Sequence, residues 1–163
     1  KKGNPDKYDL PKPIFHKGGC NLSFAGLKTA VLKIAKDIKT DQEKFDLAAS
    51  FQKTIEMILR KKTLEAFVQF EKKNQLKDKV FVVAGGVAAN KKIRSMLIDL
   101  CKEQNYKSIF PSINLCGDNA AMIAMVGLEK FKLQQFNELD CSAKPRWALD
   151  EKATFLKGAG VKL

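Results

Sequence analysis

The stretch KVFVVAGGVAANKKIR, Lys79 to Arg94, decides how this chain is read. Its run of β-branched and aromatic residues, Lys79 to Ala84, predicts a short buried strand. Lys91 to Gln104 predicts a helix that buries Ile93, Met96, Leu97, Leu100 and Cys101. Between the two stand Gly85, Gly86 and, at the helix entrance, Asn90. A strand that only filled a core has no need of that ending.

Working outward, Tyr106 to Phe110 reads as a second strand, and a loop through Pro111 and Cys116 reaches Asp118. Ala120 to Phe131 reads as an alanine- and methionine-rich helix. Strand, helix, strand, helix is the pattern of a parallel α/β unit with right-handed crossovers. Two strands are too few for a parallel sheet covered on both faces. Either residues 1 to 40 contribute strands, or the rest of the sheet lies upstream of Lys1 in a longer parent. The second is expected, with apolar surface exposed on the isolated piece and possible self-association.

Before the first strand, residues 1–22 carry Pro5, Pro11, Pro13 and Gly18-Gly19, a composition that suggests a surface arm or linker. Ser23 is expected to cap a helix whose apolar stripe runs through Leu27, Ala30, Val31, Ile34, Ala35 and Ile38. Asp41 is expected to cap a second helix, with Lys44 leaving its capping box incomplete. The second helix continues through Phe45, Ile55 and Ile58 to Lys72, a length expected to need a break near Lys61-Lys62-Thr63.

In open parallel sheets, ligands gather at the carboxyl ends of the strands, where loops and helix N-termini present unsatisfied N–H groups. Gly85 and Gly86 lie at such an end; without side chains they let a flat ring or a phosphate approach the backbone. Asn90 offers an amide donor and a carbonyl acceptor, suited to a ribose hydroxyl or an adenine edge. The same residues also fit a tight turn and an ordinary helix cap. Asp118, in the second loop, can face the same cleft. It also fits a cap, with the small residues after it letting its helix pack closely. A carboxylate can bind a divalent cation, yet one carboxylate is not a site, and the single histidine, His16, is in no position to complete one.

The net charge of +12, from 30 basic against 18 acidic residues, suits a polyanion such as RNA and equally fits solvated lysine-rich helix faces. Only Arg60, Arg94 and Arg146 are arginines. Cys20, Cys101, Cys116 and Cys141 are far apart and predict reduced thiols in a cytoplasmic protein. The chain opens at Lys1 without a methionine, a signal peptide or a hydrophobic span, so a piece of something longer with no membrane partner is expected.

Four motifs in order then point to a family. VVAGGVAAN followed by IR, LCGDNAAMIA, the late KPRWALDE, and the early LPKP with LSFAGLKTAV together resemble the C-terminal part of the tRNA threonylcarbamoyladenosine transferase family, formerly called the O-sialoglycoprotein endopeptidase or glycoprotease family. The resemblance runs from about Leu10 to Leu163, with Ala25 where the family often has serine and Gly117 where it often has threonine. It implies a partial actin/Hsp70/sugar-kinase-like (ribonuclease H-like) lobe, α/β and helix-rich with a short parallel sheet. Residues 23–163 would supply the second lobe of a two-lobed transferase whose N-terminal lobe is absent.

The implied reaction moves threonylcarbamoyl from threonylcarbamoyl-AMP to the adenosine beside a tRNA anticodon. The resemblance places Gly85, Gly86 and Asn90 on that donor. It makes Asp118 a ligand of one divalent metal, iron or zinc, whose other ligands are two histidines of an H-x-x-x-H helix in the other lobe. Those histidines are not in this chain, so the fragment is expected to bind no metal tightly and to be inactive. Implied partners are tRNA, a non-catalytic paralogue subunit and a small ATPase subunit.

Three alternatives stand beside this reading. A kinase or ATPase shares the superfold, and fold alone does not separate it from the transferase. A metallopeptidase would honour the old family name, but no H-E-x-x-H is present and no serine lies in a nucleophile elbow. An interaction module would use only the apolar helices and lysines.

Overall fold

A computed structural model describes residues 2–74, 78–140 and 142–143. Cys141 and the KPRWALDE motif, residues 144–151, lie outside the described residues. The elements are α1 (Ala25–Asp37), α2 (Asp41–Lys73), β1 (Val80–Val82), α3 (Lys91–Glu103), β2 (Lys107–Ile109) and α4 (Ala120–Lys132), with 3₁₀ turns at Gly86–Ala89 and Ile113–Leu115. This is a helix-rich α/β arrangement around a two-stranded parallel sheet.

The 33-residue helix α2 is the spine, about 50 Å long at 1.5 Å per residue. It starts at Thr40, one residue before the expected cap. The Thr40 hydroxyl accepts from Glu43 N (3.2 Å), and the Glu43 carboxylate accepts from Thr40 N (2.9 Å), so the capping box is complete. The Lys39 N–H first, then the Thr40 N–H and the Thr40 hydroxyl, donate to the Glu43 carboxylate and hold it below its ordinary value.

The expected break at Lys61-Lys62-Thr63 does not occur, because none of the three removes a backbone donor or adds a flexible joint. Lys62 is buried along its stem, and its ammonium donates to Lys17 O (2.6 Å), Gly19 O (2.9 Å) and Glu65 Oε2 (2.9 Å). The α1 cap differs too: Phe24 holds the N-cap position with no side-chain bond, so Ser23 sits one residue too early to serve.

Residues 2–24 run along α2 and are tied to it by side chains of the helix. Asn4 N donates to Asp46 Oδ1 (2.7 Å), Tyr8 N donates to Ser50 Oγ (3.2 Å), and Lys53 pairs with Asp6. Leu10 is buried with Leu27, Leu47 and Ile58, so the arm, α1 and the middle of α2 share one core. A second core joins Phe67 of α2 to Ile93, Leu97, Leu100 and Cys101 of α3 and to Tyr106 before β2. Phe67 stacks on Tyr106 with ring centroids 3.9 Å apart and meets the Phe81 ring edge-on. Ile55 packs against both cores.

The strands pair in parallel, with Val80, Phe81 and Val82 opposite Lys107, Ser108 and Ile109. The alternation is exposed, half-buried, exposed, so β1 is not the buried strand expected. Phe81, Val83 and Phe110 pack toward the α3 core, while Val80, Val82 and Ile109 face away from it, Val82 being 61% exposed. No strand forms among the described residues before Val80. Every residue of α4 is exposed, including Ile123 (70%) and Phe131 (66%), so the close packing expected of its small residues is not seen among the described residues.

Two outcomes follow. Leu100 is fully buried, and Leu100→Ala is expected to lower the unfolding free energy by about 2–5 kcal/mol in urea titration. The Asn4 N–H first, then the Gln42 amide, lower the Asp46 carboxyl below its ordinary value. A carboxyl with a lowered folded pKa contributes stability that is complete above its unfolded value, about pH 4, and is lost as pH falls through the folded value. Asp46→Asn is therefore expected to lower the thermal midpoint at neutral pH, with the two proteins converging as pH falls below the ordinary carboxylate range.

Candidate functional site

The carboxyl ends of β1 and β2 lead into the two loops that carry Gly85, Gly86, Asn90 and Asp118. Gly85 has φ +86°, a left-handed conformation that favours glycine, and a Cβ placed on either glycine would meet nothing within 4 Å. The backbone there is open to an approaching group. The chain then tightens into the Gly86–Ala89 turn, with Ala88 buried, before Asn90 starts α3.

Asn90 is the N-cap of α3. Its Oδ1 accepts from Lys92 N (3.0 Å) and Ile93 N (3.2 Å), and its Nδ2 donates to Gln52 Oε1 of α2 (2.9 Å). Gln52 in turn donates to Glu56 (2.8 Å). Both ends of the Asn90 amide are thus engaged inside the protein.

The second loop is organised by Arg94, one helical turn after Asn90. Its Nε donates to Ala88 O (3.1 Å) in the first loop, and its Nη2 donates to Pro111 O (3.0 Å) and lies 3.5 Å from Cys116 Sγ in the second. The guanidinium also lies over the Phe110 ring, 4.7 Å from its centroid. One arginine therefore holds the ends of both strands together. Sequence reasoning missed this role and that of Gln52. The available signal was an arginine at i+4 from Asn90, which puts both side chains on one helix face.

Asp118 is exposed, and the cap of α4 is its neighbour: Asn119 Oδ1 accepts from Met122 N (3.0 Å), and Asn119 Nδ2 donates to Gly117 O (2.9 Å). Because Asn119 takes the capping role, the Asp118 carboxylate is left without that task. Among the described residues, no three His, Cys, Asp or Glu side chains converge as a metal site would require. His16 is exposed and meets the Phe15 ring edge-on. Cys20, Cys101 and Cys116 are free thiols, and burial pushes the Cys101 thiol above its ordinary value, away from nucleophilic use.

Residues 1–125 match the model of the tRNA N6-adenosine threonylcarbamoyltransferase family. The chain belongs to that family. A protein of this name from Pelagibacter ubique (strain HTCC1062) is 74% identical over 163 residues, covering 100% of this chain and 46% of the relative. Those of Rickettsia rickettsii (strain Sheila Smith) and Rickettsia bellii (strain OSU 85-389) are 46% and 44% identical, each over 93% of this chain and 45% of its own length.

The chain spans about half the length of these threonylcarbamoyltransferase relatives. The family has the actin-like, ribonuclease H-like fold expected from the sequence, and the helix-rich chain with its short parallel sheet accords with it. No described helix is long and apolar enough to cross a membrane.

If Arg94 fastens the two loops, its removal must loosen both. Arg94→Ala is expected to cost about 1–3 kcal/mol and to speed amide exchange in residues 85–90 and 111–117 together while α1 stays unchanged. Loosening of only one loop in hydrogen-exchange mass spectrometry contradicts the bridging role.

Proposed function

We propose that this chain carries the donor-binding loop, and one metal-ligating carboxylate, of an enzyme that transfers threonylcarbamoyl from threonylcarbamoyl-AMP to the adenosine adjacent to a tRNA anticodon. In this reading residues 23–163 belong to one lobe of a two-lobed protein, with residues 1–22 as its arm. The observation that carries it is the Arg94 bridge, which joins Ala88 O to Pro111 O and so keeps the two loops side by side at the strand ends. The loops belong to a chain whose relatives bear the transferase name.

Each residue has a task that its local chemistry supports. Gly85 and Gly86 leave the backbone bare where the nucleotide part of the donor lies. Asn90 holds the donor by exchanging its Gln52 bond for one to a ribose hydroxyl or the adenine edge. The absence of a converging donor set among the described residues means that they do not by themselves fit a metal centre. Asp118, exposed and released from capping, has the right chemistry to give one oxygen to a divalent iron or zinc whose remaining ligands lie elsewhere in the full-length protein. When bound, that metal supplies polarisation of the carbamoyl group. A chain with one such ligand does not catalyse alone.

The reading includes a cytoplasmic setting, tRNA as acceptor, and a paralogous subunit and a small ATPase as partners. The +12 charge supports the tRNA acceptor.

Asn90→Asp in the full-length protein separates capping from donor contact, because the carboxylate keeps an oxygen for Lys92 N and Ile93 N but loses the N–H₂ group. The expected result is a thermal midpoint close to wild type with donor affinity about tenfold weaker by calorimetry, or about 1.4 kcal/mol. Gln52→Ala, which removes only the internal partner, is expected to leave donor affinity intact. Unchanged affinity in Asn90→Asp removes Asn90 from the donor site.

A further inference from the structure

A cavity of about 900 Å³ opens between the arm, α2 and the start of α3. Its rim carries Lys2, Lys53, Lys91 and Lys92 against a single carboxylate, Glu56. Glu56 accepts from Gln52, and Lys53 is paired with Asp6. Lys91 and Lys92 are exposed, and neither takes part in an ion pair among the described residues. They stand on the first turn of α3, where the helix dipole adds positive potential to theirs. Phe45, 41% exposed, gives the same cavity an aromatic wall, with the Lys2 ammonium 5.7 Å from its ring centroid.

We propose that this cavity docks a single-stranded segment of RNA, with phosphates on the lysine rim and a base against the Phe45 ring. Paired lysines beside an open aromatic ring are the two elements that single-strand recognition combines, one for the backbone and one for a base. The proposal rests on the reading of the chain as part of a tRNA-modifying enzyme and adds to it a docking surface apart from the donor loop. Gln52 lines the cavity and also accepts from the Asn90 amide, so the docked RNA and the donor loop are one side chain apart. A nucleic acid seated there lies against the residue that accepts from the Asn90 amide in the free protein.

The test uses the full-length protein and unmodified tRNA, titrated by fluorescence anisotropy at several salt concentrations. Lys91→Glu with Lys92→Glu is expected to weaken binding about tenfold or more and to reduce the salt slope by about one per lysine. Circular dichroism and the thermal midpoint verify folding, and Lys91→Gln with Lys92→Gln gives the same direction with a smaller effect. Lys28→Glu with Lys33→Glu on α1 changes net charge equally and is expected to leave affinity within about twofold. Phe45→Ala is expected to weaken binding while leaving the salt slope unchanged.

Wild-type protein that binds no tRNA overturns the transferase reading and this inference with it. Binding that survives both the Lys91/Lys92 reversals overturns the inference alone. Equal weakening by the α1 pair shows an unlocalised field and also overturns it, as does equal loss of binding to polyglutamate, which marks an acidic protein surface as the occupant.

Discussion

An unbroken α2 is the constraint on which the rest of the molecule depends. Its first two thirds supply Leu47 and Ile58 to the core shared with the arm and α1, and its last third supplies Phe67 to the core beneath the sheet. Ile55 touches both. A bend at Lys61-Lys62-Thr63 would part those cores and swing the sheet away from the arm. At that point the helix carries a buried lysine whose charge is met by two arm carbonyls and Glu65, so the arm closes over a group that would otherwise require water.

The same helix reaches the first loop through Gln52. The Asn90 oxygen caps α3, and its amide nitrogen is held by a residue 38 positions earlier in the chain. Arg94 does the complementary work one turn further along α3 by holding Pro111 and Cys116 near Ala88 of the first loop. The two loops that follow the strands are thus placed by two long side chains, each bonded to groups of a different element. The strands supply direction, and the side chains supply proximity.

Much of this was legible in the residues. The run from Val80 to Val82, the glycine pair and the periodicity of α3 specify a strand, a turn and a helix by local rules, and the parallel pairing follows from the repeat of that pattern. Caps were read one residue off: Ser23, Thr40 and Asp41 are all good capping residues, and only Glu43 three positions after Thr40 distinguishes the true one. Asp118 and Asn119 posed the same choice, settled by which side chain reaches Met122 N. The Arg94 bridge and the Gln52 contact were not legible, because each needs a tertiary neighbour that sequence spacing does not reveal. The exposed apolar surface expected of two uncovered strands is present on β1 and α4, but alternation says which face is apolar and not which element is left uncovered.

The arm is fastened to α2 in register: Asn4 to Asp46 and Tyr8 to Ser50, four residues on each side. Gly3 lies so close that an added Cβ would come within 1.9 Å of Phe45 O. A helix turns by about 100° per residue. Inserting or deleting one residue in α2 near Leu47 would therefore rotate one hook away from the other, and no single shift of the arm could recover both. Across descendants of this sequence, the two segments should change in composition far more freely than in length.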